Sequence, residues 1–211
     1  MTKAMTHPIF ARCYARLASA MEAAGGHSHR EELLSGVSGR VIEIGAGSGL
    51  NFAHFPASVT EVIAVEPEPY LRERASRAAL TTRMQIRLVD AVAEHLPFEG
   101  GEFDVAIASH VLCSVADPHR ALEELHRVLR AGGELRFYEH VRSSDPRCAR
   151  WQDPLNGPWS FVAGGCQTNR RTLDYIQQAG FEVADVRHFS FRPSILCMPI
   201  SSFVIGRAVR Q

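Results

Sequence analysis

Apolar residues recur at near-helical spacing over residues 8–24, at Ile9, Tyr14, Leu17 and Met21. The Gly25-Gly26 pair follows, so the pattern predicts a helix that stops there. A short helical piece is expected over Arg30–Leu34. The pattern then changes to short apolar runs. Arg40–Ile44, Glu61–Val65, Met84–Val89, Phe103–Ala108 and Glu134–Glu139 are read as strands. Between them, Leu50–Phe55 reads as the first turn or two of a helix. Pro69–Leu80 and Pro118–Leu129 read as full helices, the second stopped by Gly132-Gly133. Strands that alternate with helices of this length predict a parallel sheet with helices on both faces.

The alternation lapses over Val141–Gln167, which holds both tryptophans, three prolines and three glycines with no clear period. Long irregular segments in compact domains are often functional, so a lid or substrate-binding insertion is expected over 141–167. A helix over Asn169–Gln178 ends at Gly180. Phe181–Phe191 and Ile200–Val209 then read as two last strands, paired antiparallel. The organisation expected is one domain over 1–211, with residues 1–37 as an N-terminal helical cap.

Composition narrows the partners. Lys+Arg and Asp+Glu each number 23, a formal net charge of zero, so nucleic acid is not expected as a partner. The five cysteines, Cys13, Cys113, Cys148, Cys166 and Cys197, form no CxxC pair. Reduced thiols and a cytoplasmic location are expected. Met1–Arg12 carries Lys3, His7 and Arg12 and no apolar run, so no leader or membrane anchor is expected. The most apolar stretch, Ser194–Ile205, is broken by Pro199 and reads as a buried strand.

The chemistry concentrates after the first strand. Val41-Ile-Glu-Ile-Gly-Ala-Gly-Ser-Gly49 runs a strand into a turn with glycine at every second position. Such glycines permit positive φ and close approach of a ligand to the backbone. The third glycine comes two residues after the second, so the dinucleotide fingerprint G-x-G-x-x-G is not met. Glu66 ends the second strand about twenty residues on. It is either a bidentate acceptor for a ribose diol or a solvated strand-end carboxylate. Asp90-Ala91 ends the third strand, as an adenine contact or a helix cap.

Together, Glu43-Ile-Gly-Ala-Gly-Ser-Gly49, Glu66, Asp90-Ala91, Leu96-Pro-Phe98, Phe103-Asp104-Val105 and Leu129-Arg-Ala-Gly-Gly133 resemble the class I methyltransferases over about residues 38–140. The resemblance implies a Rossmann-like α/β fold: a seven-stranded, mostly parallel sheet with an antiparallel C-terminal strand. It also implies S-adenosylmethionine as cofactor, released as S-adenosylhomocysteine. Glu43, Gly45, Ala46, Gly47 and Gly49 would hold its methionine part, Glu66 and Pro67 its ribose, and Asp90 and Ala91 its adenine. Ser109 and His110 would flank it. A narrower resemblance lies in Val111-Leu-Cys-Ser-Val115, Glu139-His140-Val141, Trp151-Gln152 with Trp159, and Gly165-Cys166. These are similar to the methyltransferase-like group of thiol S-methyltransferases. That implies a small thiol or dithiol, of natural-product or xenobiotic type, as acceptor. Members of that group begin with a hydrophobic membrane anchor, and Met1–Arg12 shows no apolar run of that kind, so none is expected.

A sulfonium is already an activated electrophile, so the protein need only align the nucleophile, exclude water and take a proton. His110 and His140 lie just past the ends of the fourth and fifth strands, where open parallel sheets bind ligands, and are the candidate catalytic bases. Each has an alternative as a packing or loop-bonding histidine. Tyr14, Trp151, Trp159 and Phe161 are candidates for an aromatic wall around the acceptor. Cys113 follows His110 by three residues with no further ligand cluster beside it in sequence, so no metal is expected. Arg170-Arg171 either meet an anionic acceptor or form a solvated helix face. Two other functions share these core motifs: methylation of oxygen, nitrogen or carbon in a quinone, lipid headgroup or other metabolite, and cofactor binding without catalysis.

Overall fold

A computed structural model of the chain describes residues 8–192 and 199–211, without the side chains of 8–10, 13, 14 and 19. The chain opens with α1 (Pro8–Met21) and α2 (His27–Leu34). Seven strands follow: β1 (Gly39–Ile44), β2 (Val59–Val65), β3 (Ile86–Val89), β4 (Phe103–Ser109), β5 (Leu129–His140), β6 (Phe181–Ser190) and β7 (Ser202–Arg210). The remaining helices are α3 (Pro69–Ala79), α4 (Pro118–Val128), α5 (Pro146–Val162) and α6 (Thr172–Gln178). The sheet runs β3-β2-β1-β4-β5-β7-β6. β1 to β5 are parallel, and β7 lies antiparallel between β5 and β6.

Three helices start by one local code. Glu68-Pro69, Asp117-Pro118 and Asp145-Pro146 each place an acidic cap before a proline in the first turn. The carboxylate accepts a backbone N–H that no helical carbonyl can reach, and proline gives up an N–H that would be unpaired anyway. The sheet then separates two cores. Leu122, Leu125 and Val128 of α4 and Ile176 of α6 pack on one face, with Ile42, Ile44, Ile63 and Phe137. Leu33 and Leu34 of α2 and Ala75 of α3 cover the other, with Val41, Val62, Ile107 and Tyr138. Helix α1 rests on α3 through Ala11, Ala15 and Leu71.

Several boundaries differ from the sequence pattern. At the Gly25-Gly26 segment the boundary is as expected but the geometry is unusual. It is a kinked turn over Glu22–Gly26 that ends α1 at Met21: Gly25, at φ 111°, leaves the helical path as expected, and α2 starts directly after the turn. Leu50–Phe55 holds only a 3₁₀ turn at Phe52–His54, because Pro56 forces Phe55 into an extended conformation. The fifth strand starts at Leu129, and Gly132-Gly133 lie inside it.

The largest correction is 141–167, expected to be irregular, which holds the 17-residue helix α5. Its inward stripe is Ala149, Gln152, Asn156 and Trp159, largely polar, so no hydrophobic period announces it. Hydrogen bonds dock the stripe instead. Gln152 accepts from Ser143 N at 2.7 Å and donates to the Val141 and Pro199 carbonyls, while Asn156 accepts from Thr168 N at 2.7 Å. Pro154 and Pro158 sit on the exposed side. Among the described residues, no helix is long and apolar enough to cross a membrane.

Candidate active site

The strand order reverses between β1 and β4, and ligands of open parallel sheets bind at the carboxyl ends of strands beside such a point. A cleft of about 770 Å³ opens there. One end is bordered by the ends of β1 to β3 and the inner side of α1, the other by the ends of β4 and β5 and the α5–α6 connection. Its size is in the range of small-molecule sites.

At the first end, Gly45 and Gly47 adopt φ of 61° and 58°. A Cβ on Gly45 would lie 2.4 Å from Val111 Cγ2, so the turn and the loop after β4 touch only because no side chain intervenes. Glu66 is buried, and its two oxygens accept from Gly47 N at 2.8 Å and Glu68 N at 2.9 Å. Each oxygen keeps a second lone pair. Burial raises the Glu66 carboxyl above its usual range.

Glu43 is buried, its Oε1 accepting from Asn51 Nδ2 at 2.7 Å. Its Oε2 has no hydrogen-bond partner. Arg30 closes this corner, donating to Asn51 Oδ1 at 2.7 Å and Ser109 Oγ at 3.4 Å and pairing with Glu22 at 2.7 Å. Desolvation raises the Glu43 carboxyl from 4.5 to about 7. Between those values the folded, ligand-free chain keeps a proton that the unfolded chain has released. Stability at this group is therefore full below pH 4.5 and declines as pH rises toward about 7. Glu43→Gln is expected to flatten that part of the stability–pH curve, by about 3 kcal/mol at neutral pH, in urea melts from pH 4 to 8. An unchanged slope would place the titration elsewhere.

At the other end, His110 leaves β4 in a left-handed conformation, φ 55°, rare for a side-chain-bearing residue. Its N–H donates to the Tyr138 carbonyl at 2.8 Å, and its ring packs edge-on to Tyr138 at 4.3 Å. Desolvation, with help from Arg30 and His140, pushes the imidazole well below its ordinary value, so the ring is neutral near pH 7. The residues after it are moored from below. Val111 and Leu112 donate to Glu139 Oε1 at 2.8 and 2.9 Å, and Cys113 donates to Oε2 at 3.3 Å. Glu139 is fully buried, and burial raises its carboxyl.

His140 Nε2 meets Cys166 Sγ at 3.1 Å, and Trp159 Nε1 donates to the same sulfur at 3.3 Å. Burial opposes the charged form of His140, yet the Cys113 sulfur and the Glu139 carboxylate outweigh it and hold the ring above its ordinary value. Contact between the two thiols pushes Cys113 well up and Cys166 down.

Comparison with known proteins agrees with this geometry. A methyltransferase-domain family matches residues 42–137. The human thiol S-methyltransferase TMT1B is 31% identical over 183 residues, covering 84% of this chain and 74% of the human protein. The chain belongs to the S-adenosylmethionine-dependent methyltransferases, in the thiol S-methyltransferase-like group. Among solved structures, a Thermotoga maritima methyltransferase described as a possible histamine N-methyltransferase superposes with TM-score 0.70 at 24% identity, covering 96% of this chain and 98% of that one. A Streptomyces coelicolor geranyl diphosphate C-methyltransferase, solved with S-adenosylhomocysteine, does so with TM-score 0.68 at 18% identity, covering 87% and 77%. These likenesses support the fold; the methyltransferase takes S-adenosylmethionine as cofactor.

The fold gathers most of the residues singled out in sequence. Gly45, Gly47, Glu66, Pro67, Ala91, His110, His140 and Trp159 line the main cleft. Glu43, Ala46 and Ser109 line a small recess behind the turn. Gly49 does not face the cleft; its φ of 81° and the Phe52 ring, 2.7 Å from any added Cβ, make it a packing glycine. Asp90 lies outside the lining, ion-paired with Arg72 at 2.8 Å and 66% exposed. Among the described members of the expected aromatic wall, Trp151 and Phe161 are 72% and 91% exposed on α5, and Trp159 lines the cleft. The Tyr14 side chain lies outside the described residues. Cys113, expected to stand apart from further ligands, instead meets His140 and Cys166. Arg30, Asn51 and Gln167 carry site contacts that no sequence motif marked, and Cys166, marked only by the family resemblance, contacts His140 and Trp159. Arg170 was read as a contact for acceptor or solvent, but donates to the Leu112 and Val115 carbonyls.

Proposed function

We propose that the methyltransferase transfers a methyl group to the sulfur of a small thiol. Its relatives include thiol S-methyltransferases. The observation that carries the reading is the acceptor end of the cleft: a neutral imidazole at His110, and carboxylates that are already engaged. Glu139 is bound to three backbone N–H groups, and Glu94 accepts from Ala116 and Asp117. A thiol ionises near pH 8.5 and needs only weak help, whereas an alcohol needs a stronger base.

The residues fit the cofactor. Glu43 Oε2 is a buried carboxylate oxygen without a partner, which an α-ammonium group would satisfy. Glu66, with its free lone pairs above the glycine turn, would take the ribose hydroxyls. Bound S-adenosylmethionine supplies a methyl group on a positive sulfur, ready for displacement. Trp159 and the 163–166 loop keep water from the acceptor sulfur, and His110 takes its proton as the new carbon–sulfur bond forms.

Incubation with cofactor and a panel of thiols, dithiols, phenols and amines tests the reading by mass spectrometry. S-methylated products are expected; turnover of a phenol or amine with none from thiols would refute it. Glu66→Ala is expected to weaken cofactor binding roughly 10- to 100-fold in calorimetry, the worth of hydrogen bonds to a charged group. Equal affinity would show that Glu66 does not hold the ribose.

A further inference from the structure

Cys113, His140 and Cys166 each offer a ligand atom, and the three atoms lie within 4.8 Å of one another. They arrive from three separate segments: the loop after β4, the last residue of β5 and the α5–α6 connection. All three line the acceptor end of the cleft. Their backbones are fixed independently of any ligand. Cys113 is bonded through N to Glu139 and through O to Gln167 N at 2.8 Å, and its loop is clamped by Arg170. His140 pairs with Phe203 in the sheet, and Cys166 N donates to the Ala163 carbonyl.

Two thiols and an imidazole form a soft donor set that hard cations avoid and zinc-like cations prefer. Tetrahedral zinc, with bonds near 2.3 Å to sulfur and 2.0–2.1 Å to nitrogen, sets its ligand atoms about 3.5–3.8 Å apart. The 3.1 Å between His140 Nε2 and Cys166 Sγ is within about half an ångström of that. The Trp159 N–H directed at Cys166 Sγ is the kind of outer contact that steadies a thiolate ligand.

We propose that Cys113, His140 and Cys166 bind a soft divalent cation, zinc in its chemistry, with the fourth position open to the cleft for the acceptor thiol. The second half rests on the thiol reading above. Binding of the cation releases the protons of Cys113 and Cys166, with any imidazolium proton of His140, to solvent, leaving two thiolates, a neutral imidazole and a divalent cation with no net charge. The acceptor then coordinates as a thiolate, its proton passing to His110 or to water. Its sulfur lone pair forms the bond to the methyl carbon as the methyl–sulfonium bond breaks. The thioether product is a weaker ligand and leaves. Three protein ligands with one open position is the arrangement that acidifies a bound group.

The test uses the full chain, reduced, freed of metal, loaded with zinc and passed through gel filtration. About one equivalent per chain is expected, and almost none in Cys113→Ser or Cys166→Ser, while Cys148→Ser on exposed α5 retains it. Cofactor affinity and circular dichroism establish that the serine variants are folded. Cobalt(II) provides a second readout: a thiolate charge-transfer band and tetrahedral d–d absorption in the parent protein, the latter shifting when thiophenol is added. Absence of stoichiometric metal, equal binding by both serine variants, or a Cys113–Cys166 disulfide in the non-reduced mass would overturn the site. Bound cobalt that ignores thiophenol would overturn the open position. Metal bound but no thiol methylated refutes the acceptor and leaves the site; thiol methylated equally well by the metal-free chain refutes the cation's part in the transfer and leaves the acceptor.

Discussion

Glu139→Ala is expected to destabilise the methyltransferase by about 3–5 kcal/mol, the cost of leaving the partners of a buried charged group unpaired. The carboxylate is fully buried beneath the loop after β4 and takes the N–H groups of Val111, Leu112 and Cys113. Truncation strands three donors beneath the loop and opens a cavity. Glu139→Gln keeps the shape and one carbonyl acceptor, so about half the loss is expected, consistent with a neutral acceptor replacing a charged one. Urea melts at pH 7 measure both. A loss within about 0.5 kcal/mol, as for an ordinary surface change, would show that the loop holds without Glu139. The same variants should lose activity beyond their loss of stability, because that loop carries His110 and Cys113 into the cleft.

His110→Asn is expected to slow methyl transfer by about 10²–10⁴-fold, the usual worth of a positioned proton acceptor. Asparagine suits the test because it tolerates the left-handed conformation at φ 55°, where alanine would add backbone strain. The loss should fall on kcat, with cofactor affinity changed only slightly. An unchanged rate would remove His110 from proton transfer. His140→Ala should act differently, because His140 touches Cys166 rather than standing free in the cleft, and its loss should disturb the two thiols.

The glycine-turn end of the cleft was largely legible in sequence, because its parts lie close along the chain or at strand ends. Gly45 and Gly47 needed positive φ, and Glu66 ends the neighbouring strand. Asp90 follows β3 at the cleft edge as its sequence position implied, with an exposed carboxylate paired to Arg72 of α3. Helix α5 escaped notice because polar side chains dock it. Trp151 and Phe161 were chosen for their ring size, and the helix they sit on points them away from the cleft.

By itself, then, the sequence determined the alternation of strands and helices, the capped helix starts, the glycine turn and the family. Each of these depends on residues a few places apart, where sterics and local hydrogen bonds decide the outcome. Tertiary structure alone decided the other end of the cleft. Parallel β4 and β5 bring Cys113 and His140 to one edge, and the docking of α5 adds Cys166 from the connection that follows it, so the three ligand atoms lie within 4.8 Å of one another although the residues are far apart in sequence. The buried Glu139 contacts then fix which side chains face the cleft, and no spacing along the chain encodes that.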